Sequence, residues 1–247
     1  MWYNKSMNIF KKKKWFEKKK PILGLAPMHG VTGKEYRMEC TKGGADVVFS
    51  EMVPSEAVVR YIPRAFQLME KFKKEKNLVI QIFGNDPKTM ANAAKIIEER
   101  IKPQGIDINF GCSVVRAKRN EIGAYLLDDP DKVVEIVKEV KKNIKIPLSI
   151  KIRLTRYDII DLVKQVKPYI DVLTVHGRYS SQGFKGSADY SEIYRIKKEF
   201  PDLIVLGNGD IRSVKDFNEK IQNLDGVLLG RVTKNNKNIF NQIKKNI

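Results

Sequence analysis

The chain has 247 residues, enough for one large core or two small ones, and α/β barrels commonly reach this length as a single domain. Lysine and arginine number 47 against 29 acidic residues, and the net charge of +18 points to polyanionic partners, nucleic acid first among them. Two cysteines, Cys40 and Cys112, exclude a disulfide framework and lack the paired spacing of a zinc site. No apolar run approaches the ~20 residues of a membrane span, so a cytoplasmic chain with no metal site and no membrane partner is expected.

Residues 1–20 read as a basic N-terminal arm and 21–247 as one folded domain. The arm holds eight lysines and one glutamate, which leaves eleven of the net positive charges on the rest of the chain. Lys11 to Lys14, Trp15, Phe16 and Lys18 to Lys20 mix cations with aromatic rings, a composition able to grip phosphates and stack on bases. A solvated arm without specific contacts is the alternative.

From Pro21 onward short β-branched runs alternate with longer helical patterns, and no Gly/Ser linker interrupts them. Strand 22–26 leads to helix 34–41, strand 47–51 to a helix within 54–74, strand 78–83 to helix 88–100, and strand 105–110 to helix 131–143. Strand 148–153 leads to helix 159–166, strand 172–176 to helix 190–199, strand 203–207 to helix 214–222, and strand 226–229 to helix 238–245. In 131–143 the apolar residues Val133, Val134, Ile136, Val137 and Val140 share one face. Asp86-Pro87, Asp129-Pro130 and Ser213 mark helix starts. Eight such repeats predict a (β/α)8 TIM barrel, a doubly wound open sheet being the alternative.

A barrel gathers the C-terminal ends of its strands on one rim, where active sites of this fold are built. The unusual polar residues of this chain fall there. Pro27, Met28 and His29 follow the first strand, Gln81 lies in the third, and Asn109 and Cys112 end the fourth. Lys151 and Arg153 lie in the fifth, His176 and Arg178 end the sixth, Asn208, Gly209 and Asp210 end the seventh, and Gly230 and Arg231 follow the eighth. The glycines let backbone N–H groups approach a phosphate, and Arg231 adds a charged fork; by themselves they also fit a plain turn. Cys112 stands where an apolar run surfaces, a place that suits a reactive thiol, with an inert core cysteine as the alternative. A lysine inside the strand that carries Lys151 is costly unless paired, which favours a functional role.

In order and spacing the chain resembles the dihydrouridine synthases, flavin-dependent enzymes that reduce uridines in transfer RNA. The resemblance runs from about Pro21 to Arg231 through Ala26-Pro27-Met28, Gly30-Val31-Thr32, Gln81-Ile82-Phe83-Gly84, and Asp107-Ile108-Asn109-Phe110-Gly111-Cys112. It continues in Gly123-Ala124, Lys151-Ile152-Arg153, His176-Gly177-Arg178, the stretch 183–190, Gly207-Asn208-Gly209-Asp210-Ile211, and Gly230-Arg231. It implies an FMN barrel reduced by NADPH, with hydride passing from flavin N5 to uracil carbon 6 and Cys112 giving a proton to carbon 5. It also implies FMN contacts from Pro27, Met28, Gln81, Lys151, His176, Asn208, Gly209, Asp210, Gly230 and Arg231. Asn109, Arg153 and Arg178 are expected at the substrate. Arg116, Lys118 and Arg119 are expected in a lid touching RNA phosphates, or in a solvated basic loop.

The chain departs from the family pattern where Ser113 replaces the usual proline after the cysteine and where Val232 to Asn236 replaces a Gly-Asn-Pro-Trp-like segment. The family's C-terminal helical domain is expected to be missing, so the arm and the rim are expected to hold tRNA, the chain acting as a monomer. Two other readings stand beside this one: an FMN oxidoreductase acting on a small molecule, such as a dihydroorotate dehydrogenase-like enzyme, and a catalytically degenerate barrel that binds RNA.

Overall fold

The computed structural model describes residues 14–17, 19–113, 117, 119 and 121–247. Eight parallel strands close into a barrel in sequence order: β1 (Ile22–Leu25), β2 (Val47–Pro54), β3 (Leu78–Phe83), β4 (Gly105–Phe110), β5 (Leu148–Leu154), β6 (Val172–Tyr179), β7 (Ile204–Asn208) and β8 (Gly226–Leu229). The expected TIM barrel is therefore the fold, and the open sheet is excluded. Closure is made by β1 on β8, with Ile22 beside Gly226 and Leu25 beside Leu229. A side chain at residue 226 would put its Cβ 2.2 Å from the Ile22 carbonyl oxygen, so the seam closes only around glycine.

The outer layer holds α1 (Lys34–Lys42), α2 (Ser55–Val59), α3 (Pro63–Leu68), α4 (Pro87–Arg100), α5 (Pro130–Asn143), α6 (Ile159–Val166), α7 (Ser191–Glu199), α8 (Val214–Ile221) and α9 (Ile239–Lys244). The expected caps are in place. Asp86 accepts from Thr89 N at 2.7 Å, Asp129 from Lys132 N at 3.1 Å, and Ser213 from Asp216 N at 3.1 Å. The five apolar residues of α5 are buried as one face. The helix expected within 54–74 is instead two short helices. Tyr61 turns to φ +55, and Pro63, which lacks an N–H and clashes with the preceding turn, begins a new helix.

The core has two parts, one between strands and helices and one inside the barrel. The inner part joins Trp15 to Ile22, Val47, Phe49, Val79, Val172, Leu206 and Leu228. Trp15 is 3% exposed and meets Phe49 edge to face, ring centroids 6.0 Å apart. It also lies against the start of β4, its Nε1 only 2.9 Å from where a Cβ on Gly105 would be. Lys14 pairs with Asp171 just before β6, and Lys20 with Asp225 just before β8. The segment thus straps the N-terminal mouth. Within the expected arm, Trp15 belongs to the packing of the barrel, and its ring is not open to stacking on a base. Residues 1–13 and Lys18 lie outside the described residues.

Candidate active site

Alternate residues of barrel strands face the axis. In β3 to β7 this inward set turns polar toward the C-terminal end. Strand register places Gln81, Asp107 and Ser149 side by side, Asn109, Lys151 and Thr174 in the next row, and Arg153, His176 and Asn208 in the row above. Residues from five strands that the sequence scatters over more than a hundred positions therefore share one mouth.

Cys112 follows β4 on a turn held from two sides. The Asn109 Oδ1 accepts from the backbone N–H groups of Gly111 and Cys112, both at 2.9 Å. From the other side, the Cys112 carbonyl accepts from Ala124 N at 2.9 Å. Gly123, at φ +64, lies so close that a Cβ would stand 2.6 Å from that carbonyl oxygen. Ser113 leaves the turn supported: its carbonyl accepts from the Tyr125 hydroxyl at 3.3 Å. The Cys112 thiol is partly exposed, whereas Cys40 is fully buried and burial pushes its thiol up to about 12, far from a reactive range. Arg119, expected in a loop, is exposed and in helical backbone; Arg116 and Lys118 lie outside the described residues.

Beside the cysteine turn, starting on the neighbouring strand β5, lies a cationic wall. Lys151 Nζ has no hydrogen-bond acceptor among the described residues. Burial, with Arg153 nearby, pushes its ammonium down to about 8, while Asp107 and Cys112 act in the opposite direction. Arg153 Nε donates to the Gly111 carbonyl at 2.8 Å and Nη1 to the Gly183 carbonyl at 3.0 Å, tying the cysteine turn to the loop after β6. His176 is held neutral: burial, then Lys151, Arg153, Arg178 and Arg231, drive its pKa down to about 2. Because Arg178 Nη1 can only donate, its 3.3 Å contact makes His176 Nε2 the acceptor and leaves the ring proton on Nδ1.

The sequence reading puts Arg178 at the substrate, but the side chain is 1% exposed and works inside the protein. It donates to the carbonyls of Lys185 at 3.1 Å and Gly186 at 2.7 Å and to the Asp210 carboxylate at 2.5 Å. Asp210, at φ +47, also accepts from Ala188 N at 2.8 Å and from Arg231 at 3.2 Å, and Arg212 stands 3.6 Å away. One carboxylate thus gathers three guanidinium groups; burial pushes its carboxyl up, but Arg178, the Ala188 N–H and Arg212 together hold it below the usual range. Asn208 Nδ2 donates to the Leu228 carbonyl at 2.8 Å and locks β7 to β8 beneath them.

Beside β8, Thr32 folds the loop after β1, its Oγ1 accepting from Met28 N at 3.2 Å. His29 is exposed and points its Nδ1 to the Glu51 carboxylate at 3.6 Å. Elsewhere, a surface groove of about 590 Å³ is lined by Tyr61, Phe66, Met69, Arg100 and others, and the Tyr61 ring in it is already engaged by Phe66 and Arg100.

A family model described as dihydrouridine synthase matches residues 24–247. The chain belongs to the dihydrouridine synthase family. A probable tRNA-dihydrouridine synthase of Aquifex aeolicus is 34% identical over 92% of this chain and 74% of its own length. The tRNA-dihydrouridine synthase B of Escherichia coli K12 is 33% identical over 89% of this chain and 70% of its own. A solved complex of 2-naphthoyl-CoA reductase with 2-naphthoyl-CoA shares the fold, with a TM-score of 0.69 and 14% identity over 91% of this chain, which spans 50% of that one.

The flavin that the family implies was tested against the residues present, and they fit. Among the described residues the Lys151 ammonium has no acceptor, and Thr174 Oγ1 in the same row is buried without a partner. Space opens over the backbone of Gly230, where a Cβ would find nothing nearer than Ala26 and Met28 at 3.7 Å, and Arg231 extends beside it, 54% exposed. Anionic and hydrogen-bonding groups thus have places to be received.

Three groups at the site were given no role in the sequence reading, although Phe184 and Asp107 lie in stretches that carry the resemblance. Phe184, 65% exposed, stands between the guanidinium groups of Arg153 at 5.8 Å and Arg231 at 5.2 Å from its ring centre. Its signal was an aromatic residue set between Gly183 and Gly186. Asp107 and Ser149 are buried under the thiol and the ammonium. A carboxylate inside the apolar run of β4 is as costly as a lysine inside β5, and the argument used for Lys151 would have found it.

Proposed function

We propose that the chain reduces uridine to 5,6-dihydrouridine in transfer RNA, with FMN as the resident cofactor and NADPH as the reductant. The observation that carries this reading is the placement of a partly exposed thiol, on a turn fixed by Asn109 and by Gly123-Ala124, next to a lysine ammonium that finds no hydrogen-bond acceptor among the described residues. When bound, FMN supplies the hydride that carbon 6 of the uracil receives.

The chain's own groups do the rest. Cys112 holds the proton for carbon 5, a thiol being a competent general acid. Asn109 fixes the direction of that thiol through the backbone on which it sits. Lys151 brings positive charge to the place where electron density gathers, in a site shielded enough for a single charge to count. His176 contributes a neutral N–H donor at Nδ1. Asp210, Arg178 and Arg231 shape the phosphate end, and Pro27, Met28, Gly209 and Gly230 form the walls. Gln81 lies below, engaged by Asp107 at one end and Asn109 at the other. Phe184 and Arg153 face the entering nucleotide. A uracil must leave its stack to reach them, which is cheapest in a single-stranded loop.

Purified protein given FMN, NADPH and unmodified tRNA should add one dihydrogen to a uridine, read by mass spectrometry of the digested RNA. Tight FMN binding with RNA left unchanged would contradict the proposal.

A further inference from the structure

Asp107 sits in the middle of β4, fully buried, and no step above uses it. It lies at the root of a continuous chain of hydrogen bonds. Its Oδ1 accepts from the Ser149 hydroxyl at 2.5 Å and its Oδ2 from Gln81 Nε2 at 2.7 Å. Gln81 Oε1 accepts from Asn109 Nδ2 at 2.8 Å, and Asn109 Oδ1 accepts from Gly111 N and Cys112 N at 2.9 Å.

The direction of this chain is set at its lower end. An amide side chain can present its oxygen or its nitrogen either way, but an ionised carboxylate only accepts. Gln81 must therefore turn nitrogen toward Asp107 and oxygen toward Asn109. Asn109 must then turn its own oxygen toward the cysteine turn. With the amides reversed, Asn109 would aim an NH₂ group at two backbone N–H donors.

The same carboxylate acts on the cationic wall. Ser149 is its neighbour in register, and Lys151 lies two residues farther along β5 beside Asn109. The groups that face Asp107 are Ser149, Gln81 and Lys151; those that face Lys151 are Arg153, Asp107, Cys112 and the neutral His176. Asp107 is the one carboxylate in that set.

We infer that Asp107 is a positioning residue of the active site, whose carboxylate orients the Gln81–Asn109 chain under the Cys112 turn and supplies the counter-charge of the Lys151 ammonium. It rests on the reading of Lys151 as the ammonium that meets FMN. The energetics agree. Burial pushes the Asp107 carboxyl up to about 6 and the Lys151 ammonium down to about 8, and each of the two favours the charged form of the other. A carboxylate that is costly to bury, yet is placed where it serves the thiol and the ammonium together, has its use in the site.

The test is Asp107→Asn, which can keep the chain, its oxygen accepting from Gln81 and its NH₂ donating to Ser149, while the charge is lost. FMN affinity of the flavin-free protein is measured by fluorescence quenching from about pH 6 to about pH 9.5, with thermal unfolding recorded alongside. In the natural chain affinity starts to fall near the Lys151 pKa of about 8. In Asp107→Asn the fall starts about one unit lower, without a drop in unfolding temperature. An unchanged starting point in that variant overturns the counter-charge role.

Lys151→Met separates this failure from failure of the reading beneath it. It should bind FMN weakly with no such pH dependence, and if it keeps the natural profile, Lys151 does not meet FMN and the inference falls with that reading. The orienting role is read from Asp107→Ala, which also frees the Gln81 amide. It should lower kcat about tenfold below that of Asp107→Asn with KM for RNA unchanged, and equal kcat values would overturn it.

Discussion

The two mouths of the barrel are made by the same eight strands but packed in opposite ways. At the N-terminal mouth Trp15 lies over Phe49 and the start of β4, among Val47, Val79 and Val172, and the charges there, Lys14 with Asp171 and Lys20 with Asp225, are paired. At the C-terminal mouth the inward positions are Asn109, Lys151, Arg153, His176 and Asn208, and Lys151 there finds no acceptor among the described residues. The first end buries apolar surface and so stabilises the fold. At the second, groups pushed off their ordinary pKa values cost stability and are kept for chemistry. If this division holds, substitutions at the first mouth change stability and leave chemistry alone, and substitutions at the second act on chemistry more than on stability.

The largest separation is expected for Cys112→Ala. The residue is partly exposed and its thiol makes no hydrogen bond among the described residues, so unfolding should be little changed while turnover falls by about 10²–10⁴-fold, the usual contribution of a positioned acid. Dihydrouridine formation at saturating NADPH, beside FMN affinity, measures this. At the other end Trp15→Ala should destabilise by about 3–5 kcal/mol, as removal of a buried tryptophan generally does. Chemical denaturation gives the value, and turnover per folded molecule should stay as it was.

Asn109→Ala should have a smaller effect, felt in both properties. It leaves two backbone N–H groups at the cysteine turn without their acceptor, at a cost of about 1–3 kcal/mol. A fall in kcat of roughly tenfold, for about 1.4 kcal/mol, would show that the turn rather than the fold carries the loss.

The smallest effect is a slope in pH. The folded pKa of Lys151, about 8, lies below the unfolded value of about 10.4, so between these values the unfolded chain holds a proton that the folded chain has lost. Stability from this group therefore rises with pH across that window, by at most about 1.4 kcal/mol per unit, and Lys151→Met should remove the rise. Asp107 has the opposite sense, its folded pKa of about 6 lying above the unfolded ~3.9. Its contribution is fully present below about pH 4 and is lost as pH rises through 6; Asp107→Asn should flatten that decline in urea titrations.

Legibility in the sequence followed the range of the interactions. The eight strands, the buried face of α5 and the Asp-Pro helix starts were readable because each depends on residues a few positions apart. The break at Tyr61 was not, since its φ of +55 lies in a helical pattern whose only warning is Pro63. Trp15 looked like part of an arm because its partners, Phe49 and Gly105, come together only when the barrel closes. At the site, residue types placed Cys112, Asn109 and Lys151 on one rim, and the structure brings them together. Geometry then gave Arg178 an internal task and revealed Asp107 below the thiol, since neither hydrogen-bond saturation nor strand register is written in composition.

The most direct test of the central claim follows the FMN-loaded protein in an anaerobic rapid-mixing experiment. After reduction by NADPH, unmodified tRNA should hasten re-oxidation of the natural chain, read as return of flavin absorbance, and should fail to do so in Cys112→Ala. Equal acceleration by tRNA in both proteins would show that Cys112 is not the proton donor.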